Sequence, residues 1–232
     1  MNSISKRIIK FPLDNISLKI LNNYQNIIFD LDNTLYDETI YLLSAYKEIS
    51  SFVSKTKGIN ADNVLNYLVC EFEKEGRKNL FNKLLDYFSL DNFNLTTCLK
   101  IIRTHKIGLK IPLYESMNNL IVDANRKGKF LSILTNGNKQ QQLNKINQIN
   151  WPIPLSNFHI LFANEFEPKP SNKAVLYLFE NCNLNCEDTI MIGDNIVDKI
   201  CAKSSGIDFI EIQSIINVHL TEFKKFLNRE FY

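Results

Sequence analysis

Four short apolar runs, each closed by a polar residue, do most to limit what this chain can fold into. The first reads Asn26-Ile27-Ile28-Phe29-Asp30-Leu31-Asp32-Asn33-Thr34. Its unbroken Ile-Ile-Phe stretch predicts a strand buried on both faces, as in a parallel sheet. Asp30 and Asp32 stand two apart, and in extended chain such residues point to the same side. Both carboxylates can therefore face one pocket where the strand opens into its loop. The second run, from Lys129, ends in Thr135-Asn136-Gly137. The third, His159-Ile160-Leu161-Phe162, leads into a loop where Lys169 lies between Pro168 and Pro170. The fourth, from Thr189, ends in Gly193-Asp194.

Helical patterns separate these runs. Tyr114–Lys127, Asn138–Ile149, Asn172–Glu180 and Asn195–Ser205 read as helices, and Gly206–Ile212 as a fifth strand. Strand–helix alternation of this kind specifies an α/β fold, a doubly wound, Rossmann-like parallel sheet. Residues 37–111 depart from it. Apolar residues there recur at three- and four-residue steps, as in Ile40, Leu43, Tyr46, Ile49 and Val53. Similar stripes run through Val64–Phe72, Leu80–Phe88 and Leu95–His105. The pattern predicts about four amphipathic helices, an all-α insertion whose aromatic residues mostly pack its core. The expected division is an α/β domain of residues 1–36 and 112–232 and a helical domain of 37–111. A helix around Leu13–Tyr24 and a last one over 215–229 are also expected.

A chain of 232 residues is long for one compact unit, which suits a domain with a large insertion. A net charge of +2 gives no electrostatic case for binding nucleic acid or an anionic membrane. No apolar stretch is long enough to span a bilayer. Residues 1–25 lack the continuous apolar segment of a secretory leader. The five cysteines form no framework, which predicts free thiols and a cytoplasmic protein. Cys182 and Cys186 have no second Cys/His pair nearby, so no zinc site is expected. His105, His159 and His219 read as packed or surface residues.

Ligands of open α/β sheets bind outside the carboxyl ends of the strands. If the apolar runs are neighbouring strands, Asp30, Asp32, Thr135, Lys169 and Asp194 meet at one cleft. The chemistry this set suits is phosphoryl transfer. Clustered aspartates repel one another unless a cation is present, and oxygen-only ligands select a hard ion such as Mg²⁺. The ion also offsets repulsion between an anionic nucleophile and a phosphate. Lys169, the Thr135 hydroxyl and backbone N–H groups near Asn136 and Gly137 can hold phosphate oxygens. An aspartate can attack phosphorus directly, while a second carboxylate protonates the leaving oxygen and later activates water.

Asp30-Leu31-Asp32-Asn33-Thr34, Thr135-Asn136-Gly137, Lys169-Pro170 and Gly193-Asp194-x-x-x-Asp198 resemble the four motifs of the haloacid dehalogenase-like (HAD) hydrolase superfamily, in order, over roughly residues 26–212. The helical insertion resembles the C1-type cap of phosphoglycolate phosphatases, sugar phosphatases and nucleotidases. The resemblance implies Asp30 as nucleophile and Mg²⁺ ligand, and Asp32 as general acid/base giving its backbone carbonyl to the metal. Thr135, Asn136 and Lys169 would bind phosphate. Asp194 would be the remaining metal ligand, with Asp198 ordering Lys169 or a metal-bound water. The cap would close over the cleft and select the leaving group. Dehalogenases of this scaffold lack an acid two residues past the nucleophile, so Asp32 favours a phosphate ester. Cys201, Ser205 and Asn138 depart from the usual pattern, and the first two suggest local repacking. The expected substrate is a small phosphate ester, whether sugar phosphate, phosphoglycolate or nucleotide. A phosphoryl-shifting mutase or a non-catalytic binding protein on the same scaffold are the alternatives. Oligomeric state leaves no mark in the sequence.

Overall fold

A computed structural model describes residues 8–12, 20–90 and 95–213. The chain divides into two compact units. Within the described residues, one comprises 8–12, 20–37, 111–142 and 149–213, and the other 38–90, 95–110 and 143–148.

The first unit is built on six strands: β1 (Ile8–Pro12), β2 (Asn26–Phe29), β3 (Phe130–Thr135), β4 (Phe158–Phe162), β5 (Thr189–Gly193) and β6 (Asp208–Gln213). All pair parallel, in the order β1-β6-β5-β2-β3-β4. From β2 the chain steps outward through β3 and β4, then returns to the other side of β2 with β5 and β6. The carboxyl end of β2 is thus the switch point where the winding direction reverses, the place such sheets offer to ligands. Phe29 is in register with Ile133 of β3 and Ile192 of β5, so β5 runs one residue and β3 two residues past the end of β2.

Both faces of the sheet are covered, as the unbroken apolar runs require. Ile28, Leu134 and Met191 share a core cluster with Ala174, Val175 and Leu178 of α7 (Lys173–Cys182) and with Cys201 and Ala202 of α8 (Ile196–Ser204). The intervening Ile27, Phe29, Ile133, Ile190 and Ile192 are buried as completely on the opposite face. There α5 (Glu115–Arg126) buries Met117, Leu120, Ile121 and Ala124.

Sequence periodicity did not reveal β1. It is an edge strand of the sheet, paired with β6 so that Ile8 lies opposite Phe209, and its closing Pro12 is tolerated because an edge strand needs fewer ladder donors. Of the helix expected around Leu13–Tyr24, residues 13–19 lie outside the described residues, and Ile20–Asn23 is a single 3₁₀ turn. The expected helix over 215–229 also lies outside them.

The second unit contains α1 (Glu38–Lys57), α2 (Ala61–Glu75), α3 (Leu80–Tyr87), α4 (Leu95–Thr104) and residues 143–148 of α6 (Lys139–Gln148). The buried positions follow the helical stripe: Tyr41, Ala45, Tyr46, Ile49 and Val53 on α1, Val64 and Leu68 on α2, Leu80 and Leu84 on α3, Cys98 and Ile102 on α4. Asn60 caps α2 by accepting from the N–H groups of Asp62 and Asn63. Tyr46 meets Phe72 and Phe81 edge-on, with centroids 5.8 and 6.2 Å away. Not every striped aromatic is interior. Tyr87 is exposed and stacks on Tyr67, and Phe52 is partly exposed.

Two polar clusters lie inside this unit. Lys145, with no exposed side chain, places Nζ 2.6 Å from Glu38 Oε1 and 5.5 Å from the centre of the Tyr41 ring. Arg77 reaches the same carboxylate oxygen at 2.9 Å. Buried His105 faces Glu48 through Nδ1 (2.5 Å) and Ser44 through Nε2 (2.8 Å). That order of groups matches a nucleophilic triad, but Ser44 sits inside α1, whose backbone N–H groups are committed to the helix ladder. Without free donors for an oxyanion, the cluster is a packing clamp. Among the described residues no helix is long and apolar enough to cross a membrane.

Candidate active site

Asp30 follows the last residue of β2, and its N–H donates to the Ile192 carbonyl of β5 at 2.9 Å. This bond carries the sheet register one residue past the strand and fixes the carboxylate at the switch point. Thr34 Oγ1 donates to Asp30 Oδ2 at 3.2 Å, bracing the loop from within. Asp30 is only 5% exposed.

Lys169 arrives from the loop after β4, held there by Asn136. The Asn136 amide donates to the Lys169 carbonyl (2.9 Å) and its oxygen accepts from the Lys169 N–H (2.8 Å). Asn136 was expected among the phosphate-binding residues. Both halves of its side chain are engaged with the Lys169 backbone. Lys169 Nζ lies 2.5 Å from Asp30 Oδ1, 2.7 Å from Asp198 Oδ1 and 2.9 Å from the Leu134 carbonyl. Its three N–H bonds have three acceptors, which makes a buried ammonium tenable.

Asp198 owes its place to a helix cap. Asn195 accepts from the N–H groups of Val197 (2.9 Å) and Asp198 (3.2 Å), starting α8 so that Asp198 falls in its first turn. A Cβ on Gly193 would lie 2.6 to 2.8 Å from the Asp198 side chain, so only glycine fits there. Asp194, the next residue, completes the group. Oxygens of Asp30, Asp194 and Asp198 lie within 4.8 Å of one another.

The electrostatics of this cluster are those of carboxylates in want of a cation. Burial pushes the Asp194 pKa up to about 6, helped by the nearby Asp30 charge. Burial raises Asp30 as well, Lys169 opposes the rise, and Asp198 and Asp32 reinforce it. Asp198 is raised by burial against the pull of Lys169. For Lys169, burial disfavours the charge, but Asp30 and Asp198 outweigh it and hold the pKa above the ordinary lysine range. Three converging acids and an all-oxygen donor set fit a hard divalent ion.

Asp32 stands apart from the three acids, with its carboxylate turned to other partners. Tyr36 Oη donates to Oδ1 at 2.6 Å and Gln142 Nε2 to Oδ2 at 2.8 Å. Gln142 Nε2 also reaches Thr135 Oγ1, at 2.5 Å. Thr135 is buried at the end of β3, as its motif position implies. Sequence reasoning missed Tyr36 and Gln142.

The comparisons agree with this architecture. Residues 27–212 match the haloacid dehalogenase-like hydrolase family. The chain belongs to that family. Among solved structures it is similar to a Bacillus subtilis protein, YfnB, described as a HAD hydrolase bound to magnesium: 20% identity, 88% of this chain and 99% of that one covered, TM-score 0.55. A HAD phosphatase from Thermococcus onnurineus aligns with 20% identity over 88% of this chain and 97% of its own, TM-score 0.52. A Bacteroides fragilis protein described as a haloacid dehalogenase-like hydrolase aligns with 19% identity over 87% and 93%, TM-score 0.55. At such identities the likeness establishes the fold. No curated protein matches the chain.

Proposed function

We propose that this HAD-like hydrolase is a Mg²⁺-dependent phosphatase that cleaves a small phosphorylated metabolite through an aspartyl-phosphate on Asp30. The observation carrying the reading is the pairing of two carboxylates with different surroundings. Asp30 sits among acids and a lysine, whereas Asp32 sits apart, two residues on, held by neutral donors. A nucleophile and a separate proton carrier are what phosphate ester cleavage demands, and halide departure needs no second acid.

In this reading an Asp30 oxygen attacks phosphorus. The P–O bond to the leaving group breaks, and its oxygen takes the proton of Asp32. Asp32, now a carboxylate, removes a proton from the water that attacks the acyl phosphate. Phosphate leaves and Asp30 is regenerated. Lys169 and Thr135 hold the phosphoryl oxygens. Asp198 keeps Lys169 in place. Mg²⁺, held by Asp30, Asp194 and the Asp32 carbonyl, would neutralise charge between nucleophile and phosphate. The helical unit would serve as a C1-type cap, and sugar phosphates, phosphoglycolate and nucleotides are the substrates to screen. Free thiols suit a cytoplasmic setting.

The test is hydrolysis of p-nitrophenyl phosphate with Mg²⁺, with Asp30→Asn as control. The reading requires metal-dependent turnover that the variant lacks. Turnover of equal rate in Asp30→Asn, or none with any phosphoester in a broad panel, would remove it.

A further inference from the structure

The contacts of Gln142 go beyond what the four motifs require. Its side chain is buried, 2% exposed, at a point on α6 one turn past Lys139. The terminal amide has two N–H bonds and meets two oxygens, Asp32 Oδ2 at 2.8 Å and Thr135 Oγ1 at 2.5 Å. The amide presents its NH₂ end to both oxygens. On the other side of the same carboxylate, Tyr36 Oη donates to Oδ1 at 2.6 Å from a fully buried ring. Asp32 is thus gripped at both oxygens, by a loop tyrosine and by a glutamine of α6.

Thr135 is affected too. Its hydroxyl has one proton, and accepting from Gln142 occupies a lone pair on that side. Its present proton acceptor is the Asn136 carbonyl at 3.3 Å, a long bond that a phosphoryl oxygen would readily displace. One side chain therefore sets both the direction of the acid/base and the direction of the phosphate-binding hydroxyl.

We infer that Gln142 and Tyr36 are positioning residues, which hold the Asp32 carboxylate in line for proton transfer, and that Gln142 also aims the Thr135 hydroxyl at the phosphoryl group. The inference rests on Asp32 being the general acid/base. Neither residue touches the reacting atoms. They act by removing rotational freedom from Asp32, and misplacement of a catalytic group by about an ångström lowers a rate on the order of a hundredfold. A hydrogen bond to a charged partner is the interaction at stake for each residue, so losing one lowers the rate roughly ten- to hundredfold.

The experiment uses the full chain, with Gln142→Met, which keeps the reach and removes the donors, and Tyr36→Phe, which removes one hydroxyl. Steady-state kinetics are measured on p-nitrophenyl phosphate, whose leaving group needs no proton, and on glycerol 1-phosphate, whose leaving group does. Release of p-nitrophenolate is followed before the steady state, and circular dichroism confirms folding. The expected result is a fall in kcat for both variants, larger on glycerol 1-phosphate. An initial burst approaching one product per site should precede slow turnover on p-nitrophenyl phosphate, because hydrolysis of the acyl phosphate still needs Asp32 as base. Gln142→Met should also raise KM, and Tyr36→Phe should not. Equal proportional losses on both esters without a burst, or unchanged kinetics, overturn the inference while leaving the phosphatase reading intact. A wild-type enzyme with no Asp30-dependent turnover removes that reading, and the inference with it.

Discussion

The ion cluster of Glu38, Lys145 and Arg77 gives a stability prediction whose order of effects comes directly from the geometry. Glu38 is the shared anion: Lys145 lies 2.6 Å from its Oε1 and Arg77 2.9 Å, with side-chain exposures of 5%, 0% and 55% respectively. Breaking a buried pair by removing one partner costs about 3–5 kcal/mol, because the remaining charge is left without compensation. Glu38→Gln removes the anion that both cations reach, one of them fully buried, and should lie at the upper end, about 5 kcal/mol. Lys145→Met leaves the Glu38 carboxylate still facing Arg77 and should lie at the lower end, about 3 kcal/mol. Arg77→Met removes a partner that is more than half in solvent, and about 1 kcal/mol or less is expected. The double variant Glu38→Gln/Lys145→Met removes both buried charges and should recover most of the loss. Some deficit remains because Glu38 also opens α1, where a carboxylate favours the helix dipole by about 0.3–1 kcal/mol. Urea titrations followed by circular dichroism would give the four values. In thermal melts about 3 kcal/mol corresponds to roughly 6–12 °C for a chain of this size. If Lys145→Met comes within about 0.5 kcal/mol of wild type, or if the double variant is as unstable as the sum of the singles, the buried charges are not coupled as the distances imply.

Four further outcomes follow from the site. Protons compete with a cation for Asp194, whose folded pKa of about 6 exceeds the ordinary 3.8, so Mg²⁺ affinity measured by calorimetry should rise between pH 5 and about 7 and then level. The same raised pKa means that, in chelator, this group's contribution to stability is full below 3.8 and is lost as pH rises through about 6. A chelated protein whose melting temperature does not fall over that window, or an affinity flat across it, contradicts the assignment. Asn195→Ala removes the cap of α8 and should cost about 1 kcal/mol by urea titration, with a greater proportional loss of phosphatase turnover because Asp198 begins that helix; an unchanged rate would separate Asp198 from the chemistry. Gly193→Ala drives a methyl into the Asp198 carboxylate and should destabilise by about 1–3 kcal/mol, and a variant as stable as wild type would show that Asp198 can yield.

Legibility in the sequence followed the physics of each element. Strand ends were readable because a buried parallel strand needs a continuous apolar run, so the polar residue closing it marks the sheet's edge. Asp30, Thr135 and Asp194 were located this way, and the strand order brings β2, β3 and β5 side by side. The helical unit was readable because its stripe repeats over several turns. What escaped were contacts set by how one helix rotates over a loop. Gln142 meets Asp32 and Thr135 only because α6 presents that face, and no local rule of spacing encodes it. The buried Lys145 is hidden for the same reason, since a lysine on a helix reads as a solvated charge until its partner is seen. Asn136 looked like a phosphate ligand from its motif, and its role as a clasp on the Lys169 backbone needs the fold of the loop after β4. Strand β1 is five residues with a lysine at its centre and a proline at its end, too short and mixed for periodicity to separate from coil.

Sheet register is the condition on which this site depends. Phe29 pairs with Ile133 and Ile192, and the Asp30 N–H continues the ladder onto the Ile192 carbonyl. A slip of one residue in β2 would turn every side chain to the other face, carrying Asp30 away from Lys169 and Ile27 and Phe29 away from the side they now fill. The hydrophobic pattern that buries these strands and the geometry that gathers the acids are therefore one constraint. The same reasoning explains why like charges can be gathered at this point. The apolar core fixes Asp30, Gly193 fits against Asp198, and Asn195 fixes the helix that carries it, so carboxylates that repel one another are held within 4.8 Å by parts of the chain that gain stability elsewhere. Lys169 relieves part of that repulsion, and the remainder is the attraction a divalent ion would find.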